Sequence, residues 1–493
     1  MAIQAGFETY RYVGEVCRLR GQSIVECRLP GSEISGVLAV QATAIPSECA
    51  CLDGEVRYGG KVVICIVYED GDKKVCRAER GAEFFHKADG GAVSPACFAK
   101  AAFSAENISW RREGSGLYIS VIVDAELSVY GGKQMEYLEG GEGLLTKTEG
   151  QTVHKTVCIS GETEGEDEFD ADYVGDVLMH SEKALAHRVS AEDGQIAIEG
   201  EIALHICVLK PDEGVCSYER LLPFRMQIPC DEAYGDVIAS ARMGIKASHL
   251  SASIDEDKGK SKMVFTYALS ADCFLHVQEE ISVVCDAFST EQEIALKKQN
   301  DGGRYLTNTI KCTERIGGVA ALSPLQEGTL QAALAPRAEI ACRKTENGFE
   351  AEGVMFAEVL FGQVDGGYRT STLSLPFAFP LNIDGDYAEA DGLVCGLNIR
   401  RKPSGETEAE ATLKLVVRVY KDGEWSYISE VIEGEGYAVE QSAFSVYIPK
   451  VGEELWSLCK RLHRTPESIK ESNPRLQFPL KGDERIFVYR QIK

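Results

Sequence analysis

A pattern of residues that occurs three times along the chain restricts its fold more than any other sequence feature. The segment 53–68 has an Asp-Gly turn, a short alternating run, a glycine and a second apolar run. The same layout returns at 193–208 and, with Asn-Gly in the turn, at 347–360. The copies also share a phenylalanine, at spacings of 140 and 153 residues: Phe84, Phe224 and Phe377. A period of about 150 residues exceeds the roughly 20–50 residues of solenoid repeats, so we predict tandem copies of a whole domain.

Within each copy, short runs of alternating apolar and polar residues predict β-strands, as at 118–123 and 413–420. Gly-Gly, Asp-Gly and Glu-Gly pairs predict hairpin turns, and residues 421–424 are expected to end the second of these runs. A chain of 493 residues is also too long for one core. The sequence therefore predicts a mainly β protein with tandem antiparallel domains, sandwich-like or barrel-like, at 1–148, 149–305 and 306–440.

The pattern changes after residue 440. Residues 444–448 and 485–489 alternate as strands. Between them, four apolar residues follow the spacing of one helix face: Leu455, Leu458, Cys459 and Leu462. Thr465-Pro466 is typical of a second helix start, and Asn473-Pro474 must end that helix. We predict a small βααβ module at 442–493.

The charge of the chain is high and unevenly distributed. The net charge is −25, which argues against a nucleic-acid partner and disfavours an anionic membrane surface, because both require a basic footprint. Residues 444–493 contain ten Lys and Arg against six Asp and Glu, so this segment carries +4 and the rest of the chain −29. A basic module on an acidic body is an asymmetry that can steer association.

The sequence also lacks the patterns typical of secreted, membrane-spanning or disulfide-bonded proteins. The first residues contain no apolar run typical of a signal peptide, and no run of about 18 apolar residues predicts a membrane span. Most of the seventeen cysteines lie in apolar strand-like runs, and no C-x-x-C occurs. We therefore expect free thiols in a reducing compartment, without a disulfide framework or structural zinc.

The sequence lacks the residue patterns that are typical of common catalytic sites. The sequence has no complete phosphate-binding loop, no H-E-x-x-H and no G-x-S-x-G. The acidic stretch 162–172 is predicted to be a solvated loop rather than a calcium site, because it lacks the ligand spacing of a recognised calcium loop. We predict no catalytic residues, no metal site, no cofactor and no enzymatic activity.

The C-terminal segment resembles LysM domains in several motifs. These are the first strand with Val446-Tyr447, the Gly452-Glu453 turn, the helix start 455–458, Asn473-Pro474, and the turn 481–483 before the last strand. The upstream repeats, through their Leu-Pro-Phe phrases at 222–224 and 375–377, are similar to the SPOCS domains of spore-coat morphogenetic proteins. Together the two resemblances cover nearly the whole chain.

The resemblance implies a scaffold for spore coat and cortex assembly that remains in the cytoplasm of the mother cell, at the forespore surface. Its partners would be spore-coat morphogenetic proteins. The LysM-like module would bind the ATP-hydrolysing protein of the basement layer. A protein that binds peptidoglycan or another N-acetylglucosamine polymer is the alternative, since ordinary LysM domains bind such glycans. Glu453 lies in the expected sugar-binding loop and would require a partner of its own, which disfavours this alternative.

The candidate partner-binding residues all belong to the module. Trp456 lies one position away from the apolar face of the first helix, so we expect it to be partly exposed. The loop 475–480 is expected at the same end of the module as the Gly452 turn. The complete set of candidate residues is Trp456, Lys460, Arg461, Arg464, Arg475 and Phe478.

Overall fold

The computed structural model describes residues 3–30, 34–114, 116–211, 214–235, 237–255, 260–324, 327–364, 366–403, 405–438 and 444–489. Over these residues the chain is mainly β with several antiparallel sheets, which confirms the predicted fold class at this level. The expected division between body and module, at 440–442, lies outside the described residues, as do residues 490–493.

The strands fall into three units that repeat one order. The first unit contains β1 (Gln4–Leu29), β2 (Gly36–Leu52), β3 (Glu55–Glu69), β4 (Val75–Asp89), β5 (Phe98–Glu113) and β6 (Gly116–Glu142). The second contains β7 (Leu145–Asp172), β8 (Asp176–Glu192), β9 (Gln195–Lys210), β10 (Gly214–Pro229), β11 (Val237–Asp255) and β12 (Lys260–Phe288). The third contains β13 (Gln292–Ser323), β14 (Thr329–Thr345), β15 (Gly348–Gly362), β16 (Tyr368–Leu381), β17 (Tyr387–Arg401) and β18 (Thr407–Gly436).

Within each unit the first strand pairs with the last, so that the ends of the unit lie side by side. The last strand also pairs with the fifth, which gives the sheet order β1-β6-β5 in the first unit and β7-β12-β11 in the second. The second, third and fourth strands form an antiparallel meander, β2-β3-β4 and β8-β9-β10. The third unit has the same pairs, but the end of β13 also pairs with β16 and joins its strands into one sheet.

Alternation along the strands places one face of each sheet in a core. In β6, every second side chain from residue 117 to 129 is at most 1% exposed: Leu117, Ile119, Val121, Val123, Ala125, Leu127 and Val129. These side chains pack against residues of β2, β3 and β4, and the other two units have corresponding cores. Burial of this apolar surface between two sheets is the main source of stability of each unit.

A glycine–phenylalanine pair recurs at one position of the three units. In each meander, a glycine of the middle strand lies opposite a phenylalanine of the following strand: Gly60 and Phe84, Gly200 and Phe224, and Gly353 and Phe377. The ring occupies the space above a residue that has no side chain. This pairing gives a physical reason for the shared spacing of the three phenylalanines in the sequence.

The paired first and last strands of each unit continue beyond the sheets as two-stranded ribbons. Residues 4–14 pair with 131–142, residues 145–155 with 277–288, and residues 292–305 with 421–436. Side chains from all three ribbons share one apolar cluster: Tyr12, Met135, Tyr137, Val153, Val283, Trp425 and Tyr427. The three units are therefore joined through a common core as well as through the chain.

The meanders of the three units also meet one another. A second shared cluster includes Leu38 and Val67 of the first unit, Leu178 of the second, and Leu334 and Leu360 of the third. Polar contacts cross the same boundaries. The Tyr368 N–H donates to Glu69 at 2.8 Å, and the Val215 N–H donates to the Tyr368 hydroxyl at 3.2 Å. Each unit thus contacts both of the others.

The expected domain boundaries at 148 and 305 lie inside β7 and β13, so the strand topology divides the chain elsewhere. The units end at Glu142 and Phe288, and the next units begin at Leu145 and Gln292. The physical reason is that the last strand of one unit turns almost directly into the first strand of the next. No loop separates them that composition could reveal.

Two local predictions were wrong. The acidic stretch 162–172 is not a loop but the outer part of β7, paired with β12. Its acidic residues at even positions are exposed, and Lys246 and Lys262 lie 2.6 Å from Glu162 and Glu168. Residues 421–424 do not form a hairpin either, because β18 continues through them into its ribbon opposite Gly302 and Gly303.

Candidate interaction surface of the C-terminal module

The module contains β19 (Phe444–Tyr447), α1 (Leu455–Leu462), α2 (Pro466–Ser472) and β20 (Ile486–Tyr489). The two strands pair antiparallel, with Phe444 opposite Tyr489. Thr465 caps α2 by accepting a hydrogen bond from the Ser468 N–H at 3.2 Å, and Pro466 occupies the first helical position. The strand, helix, helix, strand order is the one that the sequence pattern predicts.

The first helix packs its apolar face into the core of the module. Leu458 and Cys459 are fully buried, and Leu462 is nearly so. The helix begins after the turn that contains Glu453, a carboxylate that is only 8% exposed. Arg461 donates two hydrogen bonds of 2.9 Å to it. Burial raises the pKa of Glu453, but the bonds from Arg461 and from the Lys450 N–H outweigh burial and hold this pKa below its usual value.

Trp456 and Lys460 contact the second unit. The Trp456 indole Nε1–H donates to Asp286 Oδ2 at 2.8 Å, and Lys460 Nζ donates to Asp286 Oδ1 at 2.6 Å. The Trp456 ring also stands edge-on to Phe288, with 5.0 Å between the ring centroids. Burial raises the pKa of Asp286, but the bonds from Lys460 and Trp456 outweigh burial and lower this pKa overall. This part of helix α1 therefore binds to the protein's own β12.

Three of the six candidate residues line one open cleft. It has a volume of about 490 Å³ and lies between the turn 450–453, the first helix and β12. Trp456, Lys460 and Arg461 line it together with Asp286. In this cleft the structure brings three of the predicted side chains together.

The other candidate residues lie outside this cleft. Arg464 is half-buried after the end of α1, Arg475 is exposed, and Phe478 is half-buried against the module's core. The loop 475–480 is adjacent to the Gly452 turn, because the Gly452 N–H donates to the Leu480 carbonyl at 2.7 Å. The six side chains therefore do not form one continuous surface.

An apolar surface that sequence reasoning missed covers the outer face of the module's sheet. Ile486 and Val488 point towards the helices and are buried, so the alternate side chains face outward. The outer face combines Phe444, Val446, Ile448, Phe487 and Tyr489, which are between 38% and 62% exposed. We refer to these five side chains as the outer apolar face. In the sequence, this face corresponds to the apolar residues at every second position of both strands. That alternation predicted the strands, but it did not indicate which face of the sheet the helices cover.

In the part of the chain that the structure describes, no group of three or more His, Cys, Asp or Glu side chains is arranged to hold a metal ion. In the same residues no helix is both long enough and apolar enough to span a bilayer. Burial raises the pKa of several cysteine thiols, to about 12 for Cys207 and Cys273.

Comparison with protein-family models, with curated proteins and with solved structures finds no match to this chain.

Proposed function

We propose that this chain is a non-enzymatic adaptor for spore coat and cortex assembly, in which the three units are SPOCS repeats and the module is a LysM domain. The adaptor works in the mother cell at the forespore surface. Its partners are spore-coat morphogenetic proteins, and the module binds the ATP-hydrolysing protein of the basement layer. The proposal combines the resemblance of the sequence motifs with the surface properties of the module.

The observation that carries this proposal is the outer apolar face. Four of its five large side chains come from the paired strands β19 and β20, and Ile448 directly follows β19. Phe444 stacks on Phe487 with 5.8 Å between their ring centroids. A contiguous exposed patch that contains several aromatic side chains is typical of a protein-binding surface rather than of a freely solvated one.

The position of the outer apolar face leaves it accessible while the module is attached to the body. The contacts to Asp286 and Phe288 involve helix α1, whereas the outer apolar face lies on the side of the sheet away from both helices. Lys450 and Arg485 are exposed near the ends of these strands. The complementary surface is therefore an apolar patch of the partner with acidic residues at its edge.

The test is a binding titration of the full chain with the purified ATP-hydrolysing coat protein. The double variant Ile448→Asp, Tyr489→Asp places two charges on the outer apolar face at side chains that are 62% and 60% exposed. We expect its dissociation constant to rise about tenfold or more, because charges placed in a desolvated apolar contact are costly.

The matched control is Val364→Asp, at a fully exposed valine of the third unit. It adds the same kind of charge outside the module and should bind as the wild type does. Circular dichroism checks that each variant is folded. Equal affinity of the double variant and the wild type would exclude the outer apolar face as the binding surface.

The glycan-binding alternative is supported by one observation, the cleft of about 490 Å³ beside Trp456 and the turn 450–453. Glu453 has its partner in Arg461, so its carboxylate is not left unpaired in this loop. Co-sedimentation of the full chain with peptidoglycan separates the two functions. Saturable binding to peptidoglycan, combined with no binding to the coat protein, would replace the adaptor proposal with this one.

A further inference from the structure

The three units meet around a small polar cavity. Its volume is about 10 Å³, close to the minimum for a single water-sized occupant. Tyr130, Phe274 and Tyr420, each from the last strand of its unit, contribute to the lining. The cavity therefore belongs to the junction of the three units and not to any one core.

Positive charge exceeds negative charge around this cavity. Its lining contains three arginines, Arg242, Arg304 and Arg418, and one carboxylate, Glu15. Adjacent to the lining, Arg18 is paired with both Glu15 and Glu389, which adds one charge of each sign. The excess of two cations is reduced by Asp422, which is 61% exposed and lies 3.2 Å from Arg304, and by Asp391, whose charge interacts with both Arg418 and Lys183. An incompletely compensated charge at a buried junction is costly unless an anion balances it.

Two buried polar atoms at the junction also lack a hydrogen-bond partner among the described residues. Arg418 is 6% exposed, and its Nε has no hydrogen-bond partner among the described residues. The nearest carboxylate oxygen, Glu389 Oε2, lies 3.7 Å away. His276 is 8% exposed, and its Nδ1 is also without a partner in the described part of the chain. Polar groups that are this deeply buried are usually hydrogen-bonded.

We propose that the junction cavity binds one monatomic anion, chloride, between Arg242, Arg304, Arg418 and His276. The cavity is too small for phosphate, sulfate or a carboxylate, whereas a monatomic anion is only somewhat larger than a water molecule. The excess of arginines favours such an anion over water. The Ser240 hydroxyl in the lining is an additional donor that can rotate towards the ion. The ion joins residues of all three units and so stabilises their association. This proposal does not depend on the proposed function.

Thermal unfolding of the full chain at matched ionic strength tests the proposal. Sodium chloride and sodium bromide are compared with sodium gluconate, whose anion cannot enter the cavity. We expect a melting temperature about 2 °C or more higher in either halide, because a ligand that binds only the folded state stabilises it. Crystals soaked in bromide should show an anomalous peak at the junction. Equal melting temperatures in the three salts, or no bromide peak there, would mean that the cavity holds water.

A pair of variants distinguishes the site from a general effect of salt. Arg304→Gln removes one lining cation whose ion pair is with the exposed Asp422, and it should reduce the difference between halide and gluconate by half or more. Lys100→Gln removes a cation of another contact between units, the 2.8 Å pair with Asp272, and should leave that difference unchanged. An equal reduction in both variants would overturn the proposal. If Arg304→Gln does not fold, the bromide diffraction experiment on the wild type decides.

Discussion

Phe224 covers Gly200 so closely that a Cβ atom on residue 200 would lie 2.2 Å from the Cζ atom of the ring. The same atom would lie 2.4 Å from the Leu185 carbonyl oxygen of the neighbouring strand. Residue 200 must therefore be glycine, because the Phe224 ring and the Leu185 carbonyl leave no room for a Cβ atom. The equivalent position in the third unit, Gly353, is similarly restricted by Phe377 and by the Glu339 carbonyl.

Gly200→Ala should lower the free energy of unfolding by about 1–3 kcal/mol, because an extra methyl group in a packed site forces its neighbours to move. Urea denaturation followed by circular dichroism measures this change. Gly150→Ala is the matched control, since Gly150 also lies within a strand and a Cβ there would have no neighbour within 4 Å. Equal stability of the two variants would contradict the tight packing of Phe224 on Gly200.

Asp286→Ala should loosen the attachment of the module to the second unit. The substitution removes the acceptor of both Trp456 and Lys460, and hydrogen bonds to charged groups contribute about 1.5–3 kcal/mol each when partly buried. We expect faster hydrogen exchange of the amides of helix α1. Asp384→Ala is the control, because it removes a lysine's partner in the third unit at a side chain that is 89% exposed. Unchanged exchange in the Asp286 variant would show that ring and apolar contacts, such as those of Phe288 and Leu145, hold the module without these bonds.

Acidification below neutral pH should destabilise the protein. His205 is largely buried, with a side chain that is 11% exposed, and its Nε2–H donates to the Val394 carbonyl oxygen of the third unit at 3.2 Å. Burial lowers its pKa from 6.5 to about 4, and the bond to Val394 opposes this only in part. The unfolded chain therefore binds a proton at a pH where the folded chain does not, so stability is full above pH 6.5 and falls towards pH 4.

Urea denaturation at pH 7 and pH 5 measures this loss. His276 contributes in the same direction, because burial lowers its pKa to about 4 as well. His205→Gln should lose less stability on acidification than the wild type, whereas the exposed His86→Gln should behave as the wild type does. Stability that is constant or higher at pH 5 would contradict the burial of these two imidazoles in their neutral form.

All seventeen cysteines should titrate as thiols after denaturation without a reductant. In the folded protein, Cys207 and Cys273 should react slowly with an aromatic disulfide reagent, because they are 3% and 1% exposed and burial raises the pKa of each thiol. A count of five or fewer thiols in the denatured chain would contradict the reducing compartment expected from the sequence.

The fold class could be predicted because alternation is a local property of the sequence. Residues 117–129 show it plainly, and the helix spacing from Leu455 to Leu462 is equally local. The contact between Trp456 and Asp286 could not be predicted, since it depends on which ribbon the module packs against. Sequence spacing describes one face of a helix but not the surface that covers it.

The two wrong predictions have a common physical cause. The acids of residues 162–172 recur mainly at every second position, which is the period of a strand, but their charge suggested a solvated loop. Similarly, Gly423 and the glycines at 302 and 303 suggested turns, although paired glycines also occur where two long strands continue side by side. Charged residues indicate solvent exposure and glycines indicate backbone freedom, and neither property is specific to loops.

The pairing of first and last strands has a consequence for synthesis on the ribosome. Gln4 pairs with Glu142, and Leu145 pairs with Phe288. More than a hundred further residues must therefore be translated before β1 or β7 can pair with its partner strand. Contacts between residues so distant in sequence form slowly, and strands without partners are prone to aggregate. Each nascent unit therefore has an exposed edge until its last strand has left the exit tunnel. The contact of Arg18 with Glu389 forms only after nearly the whole chain has been translated.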